Sequence, residues 1–340
     1  MKEDWKKALF SYVQRQNRSE LEYSVLPLLP LVRDGSVVKR GSERLKELSR
    51  YHRDRRIRIQ RKETRASIES MSASGKELRV DLKLQRKIVY MHRNKERTEQ
   101  RIERERIFLS KSDGRYEVTL IETAAGEREA AAAGQPLHGK DDAAASTARP
   151  AASLPYLNYA ALERDKPERA PIPYDREAAA LYADTHWENA SPNFLKFEVD
   201  CTNFVSQCLF AGGAPMNYTG TRGSGWWYKG RMNGQELWSY SWAVAHSLQL
   251  FLGNGGKSGG LAGTRVESPA ELQIGDVIFY DWEGDGRFSH STFVAALDAD
   301  GMPLVNAHTV ESKHRYWDYR DSYAWTENTQ YRFFHIHDFF

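Results

Sequence analysis

Both cysteines of the 340-residue chain lie in one stretch, FEVDCTNFVSQCLFAGG at 197–213. Phe204, Val205, Cys208 and Leu209 follow Cys201 three, four, seven and eight positions later, the spacing of one helix face. Two helical turns hold positions seven apart at roughly 10 Å, beyond the ~7 Å Cα limit of a disulfide. The thiols are therefore read as free, with separate roles. Cys208, deeper in the helix on its apolar face, reads as core. Cys201 opens the helix behind Asp200, a good N-cap residue. There the unsatisfied N–H groups and the helix dipole favour a thiolate, so an acid-shifted thiol is expected. The same N–H groups are placed to hold an oxyanion.

A nucleophilic thiol needs a base, and one is offered by IGDVIFYDWEGDGRFSHSTFVAALDADGMPLVNAHT at 274–309. Val277 and Phe279 mark one strand, His290–Ala296 a second, and Leu304–Thr309 a third across a turn at Asp300-Gly301. His290 starts the second strand; Asn306 and His308, two apart, project to one face of the third. A helix opening on Cys, beside a sheet with His on one strand and a polar residue on the next, has the parts of a Cys–His–polar triad. Helix first and sheet later is the order of papain-like hydrolases. Asp200, Asn203, Trp226 and Trp227 are the candidate substrate-binding residues. Each also has a structural alternative: Asp200 as N-cap, Asn203 solvating the helix, and the tryptophans, with Trp238 and Trp242, packing core and loops instead of flooring a groove.

YDREAAALYADTHWENASPNFLKF, DCTNFVSQCLFAGG, a Trp-rich middle, GDVIFYDW, FSHSTFV and NAHT occur in that order. In this, roughly 172–337 resembles the putative amidase domain family, a branch of the NlpC/P60 and CHAP-like papain-fold hydrolases. The resemblance implies a papain-like α+β fold, Cys201 as nucleophile and His290 as base. His308 matches the family's "HT" segment and Asn306 the Asn of many relatives, with His308 preferred as third residue. It also implies hydrolysis of an amide, often in peptidoglycan peptides, without a cofactor. The rival from another class is an inactive papain-fold module that binds a cell-wall glycopeptide through an aromatic cleft.

The elements that must position these residues occupy the last of three zones. Residues 1–123 are rich in Arg, Lys and Glu and read as an N-terminal α+β domain. A helix is expected over 2–17, with Trp5, Leu9, Tyr12 and Val13 on one side. KELRVDLKLQ alternates as a half-buried strand, and RIFLSKSDGRYEVTLIE reads as a hairpin turning at Ser112-Asp113-Gly114. A helix on a curved antiparallel sheet is similar to cystatin-like or NTF2-like modules in shape alone. Residues 124–170 read as an Ala/Gly-rich linker and 171–340 as the amidase domain.

The basic run RYHRDRRIRIQRKETR at 50–65 reads as a strand's polar face, since Ile57 and Ile59 alternate with arginines and Glu99, Glu103 and Glu105 can neutralise them. A net charge of +3 is too small over this length to argue for nucleic acid on its own, and no nucleic-acid partner is expected. No apolar run reaches the ~18 residues of a membrane span, and with two cysteines and no leader the default compartment is the cytoplasm. NGGKS at 254–258 lacks the first glycine of a phosphate loop, where Phe251 stands. DWEGDG at 281–286 opens like a calcium loop but reaches Thr292 where the closing acid belongs. No metal site is read.

Overall fold

The computed structural model describes residues 4–32, 34–75, 77–112, 114–123, 126–128, 171–232, 234–254 and 260–340. It divides into two compact units, Met1–Ala125 and Gly126–Phe340. Both mix helix with antiparallel sheet. Most of the 124–170 linker expected from composition lies outside the described residues; 126–128 form a short helical turn.

In the first unit, α1 (Asp4–Glu22) and α2 (Gly35–Asp54) accompany β1 (Ile57–Ser74), β2 (Glu77–His92), β3 (Lys95–Ser112) and β4 (Arg115–Thr123). The strands form an antiparallel meander. Alternate residues of β2, Leu78 to Leu84, bury against Ala8, Leu9, Tyr12 and Val13 of α1, as the period-two and helical patterns require. The basic run is part helix and part strand. It closes α2, turns at Arg56 (φ 54°) and opens β1.

The second unit supplies the site. Its helices are α3 (Arg176–His186), α4 (Cys201–Ala211), α5 (Tyr240–Ala243) and α6 (Ala245–Gly253). A small hairpin joins β5 (Tyr228–Met232) to β6 (Gln235–Trp238). The main strands are β7 (Gly263–Val266), β8 (Val277–Asp281), β9 (His290–Leu297), β10 (Pro303–Ala307), β11 (Ser312–Tyr316) and β12 (Gln330–Ile336). They run in the order β11-β10-β9-β8-β12-β7, antiparallel throughout. Central strands buried on both faces carry continuous apolar runs such as VIFY. One face, with Val277, Phe279, Phe293 and Ala295, packs with Phe204, Val205, Cys208 and Leu209 of α4. The other holds Ile278, Tyr280, Trp282, Val294 and Tyr319.

Candidate active site

Helix α4 begins at Cys201 and is sealed at its far end by a Schellman motif. There the Ala214 N–H donates to the Leu209 carbonyl (3.1 Å) and the Gly213 N–H to the Phe210 carbonyl (2.9 Å), with Gly213 at φ +93°. The start of the helix is open. Asp200 occupies the N-cap position at φ −111°, ψ 2°, but its side chain does not cap the first turn, contrary to the sequence expectation. The carboxylate is drawn elsewhere. Oδ1 accepts the Phe197 N–H and the Asn203 amide, both at 2.8 Å, and Oδ2 meets His308 Nδ1 at 2.6 Å. The N–H groups of the first helical turn, which have no intrahelical acceptor, thus surround Cys201 without a side-chain cap.

The Cys201 sulfur is buried. It receives the backbone N–H of Ser291 and lies among the Thr202 and Ser291 hydroxyls, which meet each other at 2.9 Å. Burial pushes the thiol above its ordinary value, further than these hydrogen bonds lower it, and the Asp200 charge adds to the rise. The helix end therefore does not make this thiol acidic in the resting state. Desolvation outweighs the dipole. Cys208 is buried in the apolar core, as its helix position implies, and burial pushes its thiol up as well.

His290 opens β9 directly before Ser291, opposite Tyr280 in register. Alternation turns the two residues to opposite faces: Ser291 toward α4, His290 toward Tyr280, Trp282 and Tyr319. Their ring centroids lie 5.4, 5.7 and 5.6 Å from the imidazole. Burial, then the charge of Arg315, lowers its pKa to about 3, so the ring is neutral at physiological pH. Its Nε2 is buried without a hydrogen-bond partner among the described residues. A buried imidazole nitrogen in that condition is costly unless something else comes to use it.

The two candidates for the third residue are engaged away from His290. His308 stacks on Phe204 (4.1 Å) and is clasped between the Asp200 carboxylate and the His186 carbonyl (2.8 Å). Both ring nitrogens thus face oxygen atoms. Asn306 donates to Asp184 (2.8 Å) and accepts the His314 N–H (2.8 Å). The two do share a face, as their spacing requires, but it is the α3–α4 face. In this state His308 braces the residue before the nucleophile and does not orient the base.

Asn203 bridges Asp200 to the indole of Trp242, whose Nε1 donates to Asn203 Oδ1 at 2.8 Å. Trp226 and Trp227 are 0% and 2% exposed, with Nε1 donating to Ser206 Oγ and to the Ser224 carbonyl. All of these, Asp200 included, are buried, so in this state they shape the floor of the site from behind. The calcium-like loop is closed by its own aspartate: Asp281 accepts the N–H groups of Gly284 (2.9 Å) and Gly286 (2.7 Å). Sequence reading missed the Thr202–Ser291 bridge, the Asp200–His308 pair and the aromatic cage of His290. Strand alternation alone separates Ser291 from His290. Choosing which of them faces α4 needs the register.

Residues 173–334 match a family model described as Putative amidase domain. The uncharacterized protein YhbB of Bacillus subtilis (strain 168) is 53% identical over 165 residues, which is 48% of this chain and 51% of that protein. The chain spans about half the length of that curated relative. Among solved structures, the intermembrane space region of the chloroplast protein ARC6 aligns over 33% of this chain and 89% of its own at 16% identity. Its TM-score is 0.25, too low to bear on the fold. Residues 173–334 are thus similar to the putative amidase domain family.

Proposed function

We propose that the second unit is a papain-like cysteine hydrolase that cleaves an amide through an acyl-enzyme. The observation that carries this reading is the uncapped start of α4. Asp200 is diverted to His308, so the N–H groups around Cys201 are left for an oxyanion, while the sulfur touches the peptide that follows His290. A neutral thiol and a neutral imidazole begin the cycle. When the amide carbonyl reaches the sulfur, the thiol proton passes to His290 as the S–C bond forms. His290 then returns that proton to the departing amine as the C–N bond breaks. Water, deprotonated by the same ring, releases the acid and restores the thiol. For this His290 must leave its aromatic cage and reach the α4 face. Peptide stems of peptidoglycan are the proposed substrates.

The test is incubation with purified peptidoglycan peptides, reading newly exposed amines and, after an acid quench, the mass of Cys201 peptides. Wild type should show an acyl adduct on Cys201. Cys201→Ala should lose turnover entirely, and His290→Ala should lose about 10²–10⁴-fold. Unimpaired turnover by Cys201→Ala would end the cysteine mechanism.

A further inference from the structure

Register, more than spacing, decides which residues of β1 share a face of the first unit's sheet. Arg58 and Arg61 are three apart, which simple alternation sends to opposite faces. A β-bulge between Ile59 and Arg61 cancels that difference: Arg58 pairs with Met91 and Arg61 with Val89, two apart on β2. Arg65 follows opposite Gln85. All three arginines therefore stand on the face of Lys83 and Lys87. The other face belongs to α1: Lys62 and Thr64 meet its Glu20 and Asn17, and alternate residues Leu78 to Leu84 bury against it. On the solvent face, each of five successive rows across β1 and β2 carries one cation, in the order Arg58, Arg61, Lys87, Arg65, Lys83. Rows of one face recur every two residues, about 7 Å apart. The arginines are exposed and the lysines half-buried. Glu63, opposite Lys87 and paired with Arg61 at 3.0 Å, is the one carboxylate in these rows. Arg58, Arg65, Lys83 and Lys87 make no ion pair among the described residues.

We propose that this face binds an extended polymer of polyol units joined by phosphodiesters, one phosphate to each row of the track. The row spacing is close to the distance between successive phosphates of such a chain, so cation and anion repeat together. Two other phosphate carriers fit less well. Single-stranded nucleic acid gains affinity by stacking its bases on aromatic side chains. The face offers none here: Met91, Val89 and Gln85 of β2 and Thr98, Gln100 and Ile102 of β3 fill the space between the cations. A bilayer presents headgroups in two dimensions, whereas the cations beside this single file are already paired. Arg104 meets Glu69, and Arg79 and Arg106 meet Asp81. The surface makes no use of Cys201 or His290, so it stands or falls apart from the hydrolase reading.

The experiment uses the full chain and an end-labelled poly(glycerol phosphate), read by fluorescence anisotropy across a salt series. The logarithm of the binding constant should fall against that of the salt concentration with a slope of about −3.5, as for about five contacts on a single-chain polyanion. Arg58→Gln/Arg65→Gln/Lys87→Gln should weaken binding about tenfold or more at about 0.1 M salt and bring the slope to about −1.5. Lys39→Gln/Lys46→Gln/Arg50→Gln removes the same charge from exposed positions of α2 and should bind within about twofold of wild type. Glu63→Gln should tighten binding about threefold, a gain that a folding defect cannot mimic. Equal losses for the two triple variants, or no binding by wild type, would overturn the track. Tighter binding of a single-stranded DNA with the same number of phosphates, or of phosphatidylglycerol vesicles, through the same residues would overturn the choice of partner.

Discussion

Cys201 and His290 are kept uncharged by the same cause acting in opposite directions. Burial raises the thiol and lowers the imidazole, so no resting thiolate–imidazolium pair forms. Cysteine reactivity follows the thiolate, and this one appears only on ionisation above the usual thiol value or on activation by substrate. Iodoacetamide labelling read by peptide mass spectrometry should therefore give Cys201 a midpoint above 9.0, the ordinary value, in the free protein. Cys208 should stay inert, and a slowly cleaved peptide amide should slow Cys201 modification by occupying or acylating the sulfur. A midpoint below 9.0 without substrate would contradict the neutral pair. The places of the two thiols were legible in the sequence because helical spacing separates an opening residue from a core one. The sign of the shift was not: the dipole is read from Cys201 being first in the helix, whereas burial depends on Ser291 and Thr202 closing over the sulfur.

The elements were more legible than the contacts between them. Helix α4 appears in the 3-4-7-8 pattern and β8–β10 in alternation and turns, because those periods are set by the backbone. Strand β10 ends at Ala307, so His308 stands just past it, where it can reach back to Asp200. A third-residue role inferred from motif order could not include that partner, since Asp200 and His308 lie 108 positions apart. The position of α4 is held at its C-terminal end by glycines that the sequence displays as FAGG. Gly213 adopts φ +93°, a conformation that costs other residues about 1–2 kcal/mol. Gly213→Ala should thus lower stability by about 1 kcal/mol in chemical denaturation. Gly212→Ala should be worse, because its Cβ would stand 2.4 Å from the Tyr174 ring and 2.9 Å from the Asp175 carbonyl. Equal stability in all three proteins would show that the helix end is not fixed as described.

Across the whole molecule, buried charge is gathered into clusters. In the second unit Arg315 meets Glu127 at 3.1 Å and Asp321 at 3.0 Å. In the first it is spread between sheet and helix: Arg86 meets Glu105 at 2.8 Å and Glu103 at 2.6 Å, while Tyr12 and Gln16 of α1 also reach Glu105. Burial acts to raise the Glu103 carboxyl, but Arg86 and Arg101 outweigh it and hold the group at about 2. A carboxylate lowered from 4.5 in this way stabilises the fold fully above 4.5. That contribution is lost as pH falls through 2. Glu103→Gln should cost about 1–3 kcal/mol at pH 7, as expected for losing charge-assisted hydrogen bonds at a partly exposed carboxylate. It should also flatten the acid limb of unfolding between those two pH values. An unchanged acid limb would mean that Glu103 does not carry the load. Glu99, Glu103 and Glu105, expected to neutralise the run at 50–65, meet Arg86 and Arg101 of β2 and β3; the arginines of 50–65 were visible only as composition. Their division between α2 and β1 was not, because it hinges on the left-handed turn at Arg56.

The indoles behind the nucleophile helix have an optical consequence. Trp226 and Trp242 lie 4.9 Å apart at 35°, and each is tied to α4 by its Nε1, one to Ser206 and the other to Asn203. Two chromophores so close and so skewed share their excited states, and a chiral pair of that kind gives a split circular-dichroism band. The amplitude of that band is a built-in gauge of how firmly the helix carrying Cys201 is seated. It can be followed in solution without a substrate, a label or a loss of activity.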